Sequence, residues 1–222
     1  MSLLDAPRVS PPQLPPLIAS DPGDACDGAS FTEAQLAWSG ADASTIGAEI
    51  LDSRVQRLPT DTLHARRLRL AEVEVADPVI VTLNAPRSNW RGVSVSGGSI
   101  GVLDCSGSTW RNVVLTDVRI GYLNLREAVL GDVLLTGCRL GTLDAAGAST
   151  TRVSLVGCVV EDLDLRNRKG DHLDLRGLDV VRLNKLEGAD SLVGATITDQ
   201  QARWLGPLLA TALRITVTEE DQ

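Results

Sequence analysis

Between about Ser88 and Leu192, apolar and polar positions alternate in fives. Cut from Leu123, the chain reads LNLRE, AVLGD, VLLTG, CRLGT, LDAAG, ASTTR, VSLVG, CVVED, LDLRN. The first and third residues of each unit are mostly apolar or small, and the last two mostly polar or glycine. A helix repeats its face every 3.6 residues and a plain strand every two, so neither matches. A chain that turns a corner after each five residues does. Four such sides close one coil, and the sequence also repeats at twenty. Leu103, Leu123, Leu143, Leu163 and Leu183 form one column, and Asp104, Asn124, Asp144, Asp164 and Asn184 the next. Three positions upstream of the leucines stand Ile100, Ile120, Leu140, Val160 and Val180. Gly101, Gly121 and Gly141 share a further column, and Trp90 and Trp110 lie one period apart. The frame fades toward the N-terminus but can be followed to about Leu63.

These units resemble the pentapeptide-repeat family, whose repeat runs A-(D/N)-L-x-x with the central residue and the one two before it pointing inward. Leu123-Asn124-Leu125, Leu163-Asp164-Leu165 and Leu173-Asp174-Leu175 carry the polar and central positions, and Ala128-Val129-Leu130 the small first residue. The fold implied by the resemblance is all-β: a right-handed quadrilateral β-helix, here with a C-terminal helical cap. Stacked at 4.7–4.9 Å per coil, five clear coils or seven in all make a rod about 25–35 Å long. The absence of proline between Pro86 and Pro207 suits a continuous ladder. Glycines at the ends of the units suit corners.

The ends differ. Six of the ten prolines fall between Pro7 and Pro22, which predicts an extended or poorly ordered arm over residues 1–30. Residues 31–87 are expected to hold an N-terminal cap and degenerate coils, 88–192 the regular β-helix, and 193–222 a capping helix and tail. Thr198 or Asp199 can cap that helix. Trp204, Leu205, Leu208, Leu209 and Leu213 recur at helical spacing, with Pro207 expected to kink or divide it.

Composition fits a narrow core: one Phe, one Tyr and four Trp leave Leu, Val, Ile and Ala to fill it. The start of the chain lacks a signal-peptide h-region, since Asp5, Pro7 and Arg8 follow Leu3 and Leu4 at once. No stretch approaches the apolar length of a membrane span. Cys26, Cys105, Cys138 and Cys158 make no CxxC pair and no zinc-like cluster, which points to a reducing, cytoplasmic setting. Cys138 and Cys158, one coil apart in an inward column, read as small buried hydrophobes rather than a disulfide.

Catalytic, cofactor-binding and metal-binding residues are all expected to be none. His172 lies beside Asp171 and Asp174, yet no nucleophile or second histidine accompanies it, and His64 stands alone. A site near His172 is a remote enzymatic alternative. The Asp/Asn column lacks the nonapeptide period of calcium-binding β-rolls. The unit Arg168-Lys169-Gly170-Asp171-His172 puts Arg and Gly where apolar residues belong. It reads as a bulge, a protruding loop or an open wall, with a partner contact as the alternative.

The expected function is a non-enzymatic protein-binding solenoid. The family resemblance adds an alternative, a DNA-mimicking modulator or protector of a type II topoisomerase, DNA gyrase, and allows a homodimer through the C-terminal helix. A net charge of −8 favours the mimic. Its distribution does not: residues 88–192 are nearly neutral, with the surplus at the ends. A sequence pI near 4.8 argues against direct nucleic-acid binding.

Overall fold

The computed structural model describes residues 4–23, 26–37, 42–56, 59–179, 183 and 185–218 of the 222. Each coil of twenty residues contains two parallel strands. After four short strands, β1 (Ile18–Ser20), β2 (Ser30–Thr32), β3 (Ala34–Leu36) and β4 (Asp42–Ser44), the eight-residue strands are β5 (Glu49–Gln56), β7 (Arg69–Ala76), β9 (Asn89–Ser96), β11 (Thr109–Thr116) and β13 (Val129–Thr136). Six-residue strands are β6 (Pro59–His64), β8 (Val79–Asn84), β10 (Ser99–Asp104), β12 (Arg119–Asn124) and β14 (Arg139–Asp144). Each of these ten strands pairs in register with the segment twenty residues on, as in Leu103↔Leu123 and Trp110↔Trp90. The result is a parallel β-solenoid of about eight turns with one C-terminal helix.

One coil shows why the period is five. Leu103 and Cys105, Ser108 and Trp110, Val113 and Leu115, and Val118 and Ile120 are all buried, two per wall. Between these pairs the backbone turns at Ser106-Gly107, Arg111-Asn112, Thr116-Asp117 and Gly121-Tyr122. We number the four walls in that order. The second residue of each of the first three corners has left-handed backbone: φ is 63° at Gly107, 54° at Asn112 and 55° at Asp117. The fourth corner works differently. Gly101, Gly121 and Gly141 have no left-handed φ there, and glycine is needed for space. A Cβ on Gly121 would lie 2.6 Å from the Gly101 carbonyl oxygen, and one on Gly141 would lie 2.5 Å from that of Gly121.

The core is a stack of aliphatic ladders with one aromatic insertion. Trp90 and Trp110 are buried and stack with centroids 4.8 Å apart and planes at 12°. That spacing is the coil repeat itself. Their inward neighbours on the same wall are the small residues Ser88 and Ser108, so each large ring is offset by a small partner. Both hydroxyls donate to the Ala85 carbonyl, at 2.7 and 3.3 Å.

The Asp/Asn column on the first wall has a structural cause. Asp104 accepts from the Ser106 amide at 2.9 Å, Asn124 from Arg126 at 3.1 Å, Asp144 from Ala146 at 3.1 Å and Asp164 from Arg166 at 3.0 Å. Each side chain thus satisfies the corner amide two residues on, an Asx turn repeated once per coil.

The last coil departs from the sequence frame. Leu163 pairs with Leu186, not Leu183, because β17 (Lys185–Glu187) follows β15 (Ser149–Asp164) by twenty-three residues at this point. An irregularity beside Val156 does not cause this offset, because β15 and β16 (Lys169–Asp179) are again offset by twenty at Cys158↔Leu178 and Val159↔Asp179, so the slip enters between Asp179 and Lys185. Leu183 is still buried, which is why its apolar character imitated the column. Val180 and Asn184, the other two members expected in this coil, lie outside the described residues.

Above this coil sits α1 (Asp199–Ala212). Thr198 accepts from the Gln201 amide and Gln201 Oε1 accepts from the Thr198 amide, a capping box. Gln201 Nε2 also donates to the carbonyls of Leu175 (2.6 Å) and Leu178 (2.9 Å), closing the ladder of the final winding. Leu205 is buried, whereas Trp204 and Leu213 face solvent, so the apolar stripe is only partly covered. Pro207 lies inside the continuous helix and does not divide it.

Candidate interaction surfaces

The interior is tightly filled among the described residues. Its enclosed spaces are about 50 and 30 Å³, lined almost wholly by aliphatic side chains, far below the 300–1,000 Å³ of ordinary ligand pockets. His64 lies on the first wall, in register with Asn84. His172 lies five coils away at a different corner, accepting from the Asp5 amide through Nδ1 at 3.1 Å. Among the described residues no group of three His, Cys, Asp or Glu gathers in a way that could hold a metal ion. All four cysteines are buried and unbridged. The Cys138 and Cys158 thiols donate to the Leu115 and Leu135 carbonyls, both at 3.4 Å, and burial pushes the Cys105 thiol far above its ordinary range.

In the irregular unit Arg168 alone turns inward, while Lys169, Gly170 and Asp171 are exposed. Arg168 is 5% exposed. Its guanidinium donates to the Ser191 carbonyl (3.0 and 2.7 Å), the Val193 carbonyl (2.9 Å), the Gly170 carbonyl (3.3 Å) and Thr150 Oγ1 (2.6 Å). Burial lowers its pKa, with Asp171 opposing. Gly170 is required beside it, since a Cβ there would run into the Thr150 carbonyl. Through Arg168 the wall is closed here, its guanidinium bracing Thr150 and Gly170 against the Ser191–Val193 segment below the cap.

Function must therefore be sought outside, and three exterior features stand out. The first is a recess of about 660 Å³ on the fourth wall, where Gly101 and Gly121 remove side chains. Val79 and Val81, 57% and 60% exposed, border it, and Arg119 and Arg139 stand one above the other across it. The second is a group of exposed arginines, Arg66, Arg67, Arg87, Arg91 and Arg111, wrapping the second wall in three successive coils. Neither these five nor Arg119 and Arg139 form an ion pair among the described residues. The third is the N-terminal arm. Its backbone amides at Asp5, Arg8 and Ser10 donate to His172, Asp132 and Asn112 at 3.1, 2.9 and 2.9 Å.

No protein-family model matches the chain, and no curated protein matches it. Among solved structures it is similar to two trypsin-treated forms of QnrB1, described as a plasmid-mediated fluoroquinolone resistance protein. One is 15% identical and covers 91% of this chain and 100% of that one; the other is 17% identical and covers 91% and 98%. Both have a TM-score of 0.27, too low for the likeness to carry any argument about this chain.

Charge is spread unevenly over the walls. The third wall and its corner carry Glu74, Asp77, Asp117 and Asp174, but Ser94, Val114, Leu134 and Ser154 separate them with uncharged surface. On the first wall, Asp144 and Asp164 are matched by Arg126 and Arg166 at 2.9 and 2.6 Å. No wall presents an unbroken acidic stripe among the described residues. The Gly101 column is legible in the sequence but its recess is not, because a period reveals which residues share a wall and not how deeply that wall is cut.

Proposed function

We propose that this chain is a non-enzymatic, protein-binding solenoid of the pentapeptide-repeat kind, acting in the cytoplasm and engaging its partner through the fourth wall. The recess above Gly101 and Gly121 carries the reading. It combines exposed apolar side chains, a glycine-cleared floor and two arginines free to meet carboxylates. Arginine with adjacent apolar surface is the composition of interface anchors. An interior too small for a substrate favours binding over turnover. The exposed Trp204 on α1 and Leu213 at its C-cap support a homodimer as part of the same reading.

The DNA-mimicking alternative, directed at DNA gyrase, needs negative charge where phosphates would lie. Unpaired Arg119 and Arg139 on the fourth wall and the five arginines around the second wall weigh against it. A photo-crosslinking residue at Val81 tests the main reading, with one at Val129 on another wall as control. Adducts formed from Val81 alone and abolished by Arg119→Glu with Arg139→Glu are expected. Equal adducts from both positions, indifferent to the arginines, would overturn the assignment. A supercoiling assay with DNA gyrase tests the alternative, and inhibition or protection at micromolar protein would revive it.

A further inference from the structure

The arm is held in a way that its composition alone would not require. From Asp5 to Ser10 it descends the rod against the direction of winding, meeting His172, then Asp132, then Asn112. These residues, with Arg152, are the equivalent corner of four successive coils, and all four have left-handed backbone with φ between 54° and 57°. The geometry matches without strain. Five residues of polyproline II at about 3.1 Å each span about 15 Å, and three coil steps at 4.7–4.9 Å span about 14 Å. Pro7 and Pro11 supply no amide, so the donors left between them include the two that are used.

Charge secures the upper end. Arg152 grips Asp132 with two hydrogen bonds, at 2.6 and 2.7 Å, and lies 4.0 Å from the Asp5 carboxylate. Arg8 pairs with Asp5 at 3.0 Å. The Arg152 guanidinium and the Arg8 amide together hold the Asp132 carboxyl below its ordinary range. Farther down, Pro12 is buried, and at Ile18 the chain enters the first winding by pairing with Ala34. Among the described residues, every hydrogen bond from the rod to the backbone of residues 5–10 is made by a side chain accepting an amide proton. That is recognition of an extended chain by a ladder of corner residues rather than by a sheet edge.

We infer that the corner ladder Asn112, Asp132, Arg152 and His172 is a docking edge for an extended, proline-rich segment of a protein partner, and that residues 4–12 occupy it in cis until displaced. This rests on the protein-binding reading, but it concerns a different edge from the fourth-wall recess. A tethered arm acts at an effective concentration of about a millimolar, so a competing segment must bind tightly or arrive beside other contacts.

The experiment uses the full-length chain with residues 4–12 replaced by glycine and serine, and a fluorescent synthetic peptide of residues 4–17 followed by anisotropy. The replaced-arm protein is expected to bind the peptide at least about tenfold more tightly than the natural chain, whose tethered arm competes. Asp132→Ala in that background, or alanine for Pro7, Pro11 and Pro12 in the peptide, is expected to weaken binding. Absence of peptide binding by a replaced-arm protein with unchanged circular dichroism would overturn the proposal. Should that protein fail to fold, hydrogen exchange on the natural chain decides: protected amides at Asp5, Arg8 and Ser10 support it, and exchange at free-peptide rates overturns it. Protection that rises with protein concentration would assign the edge to a second copy's arm and refute occupancy in cis. Crosslinking at Val81 is indifferent to all of these outcomes, so failure here leaves the fourth-wall reading separately testable.

Discussion

Replacing Arg168 by methionine probes how the rod is closed. The substitution keeps the volume and the unbranched stem, so little packing is lost. It removes every donor to the Ser191 and Val193 carbonyls that the guanidinium supplies. A buried acceptor left without its donor costs about 1–3 kcal/mol, giving roughly 2–6 kcal/mol for the Ser191 carbonyl and Thr150 Oγ1 together, whereas the Val193 carbonyl, on a residue 79% exposed, can turn to water. Relief from burying a cation offsets a few kcal/mol of this. The expected net loss is about 2 kcal/mol, or about 4–8 °C in Tm for a chain of this size. Lysine should rescue only in part, because a single ammonium cannot span the acceptors that the planar fork reaches. Urea denaturation measures the loss, and hydrogen exchange should place it in residues 189–193 and the neighbouring coils. An unchanged midpoint for Arg168→Met, with unaltered exchange in that segment, would refute the claim that this side chain ties the cap to the coils.

Other outcomes follow from the same geometry. Leu143→Asp places an unpaired carboxylate in a buried ladder and should severely destabilise the rod, whereas Val129→Asp on the exterior should shift the midpoint by less than about 0.5 kcal/mol; similar midpoints would show the inward assignment to be wrong. Gly121→Ala, whose Cβ would press on the Gly101 carbonyl, should cost about 1–3 kcal/mol by urea denaturation although its φ is ordinary. Asp132 and Asp174 are held below their ordinary range, first of all by hydrogen bonds from Arg152 and Arg176. Depressed carboxylates stabilise the fold above their unfolded value of about 3.9 and lose that contribution as pH falls through the folded value. Urea midpoints should therefore be level from about pH 7 to 5 and fall below about pH 4, and the drop should shrink in Asp132→Asn.

Much of this architecture is a local property of the sequence. Each unit of five says which two residues point inward, and identical units stack in a single register, so the ladder of Leu103, Leu123, Leu143 and Leu163 is legible from spacing alone. The period is silent wherever a residue acts outside its own coil. Arg168 looked misplaced because its acceptors at Ser191 and Val193 come from beyond the repeat. Leu183 looked like a column member because the three-residue slip lies between elements and leaves it buried all the same.

What the sequence by itself determined was the four-walled winding and the aliphatic core, which depend on neighbours five or twenty residues away, and the capping helix, which depends on neighbours three or four away. Only the tertiary structure decided that the proline arm returns along the corner ladder, that glycines on the fourth wall open a recess, and that basic side chains separated along the chain gather around one wall. Those features arise where different columns meet in space, and no one-dimensional period encodes that meeting.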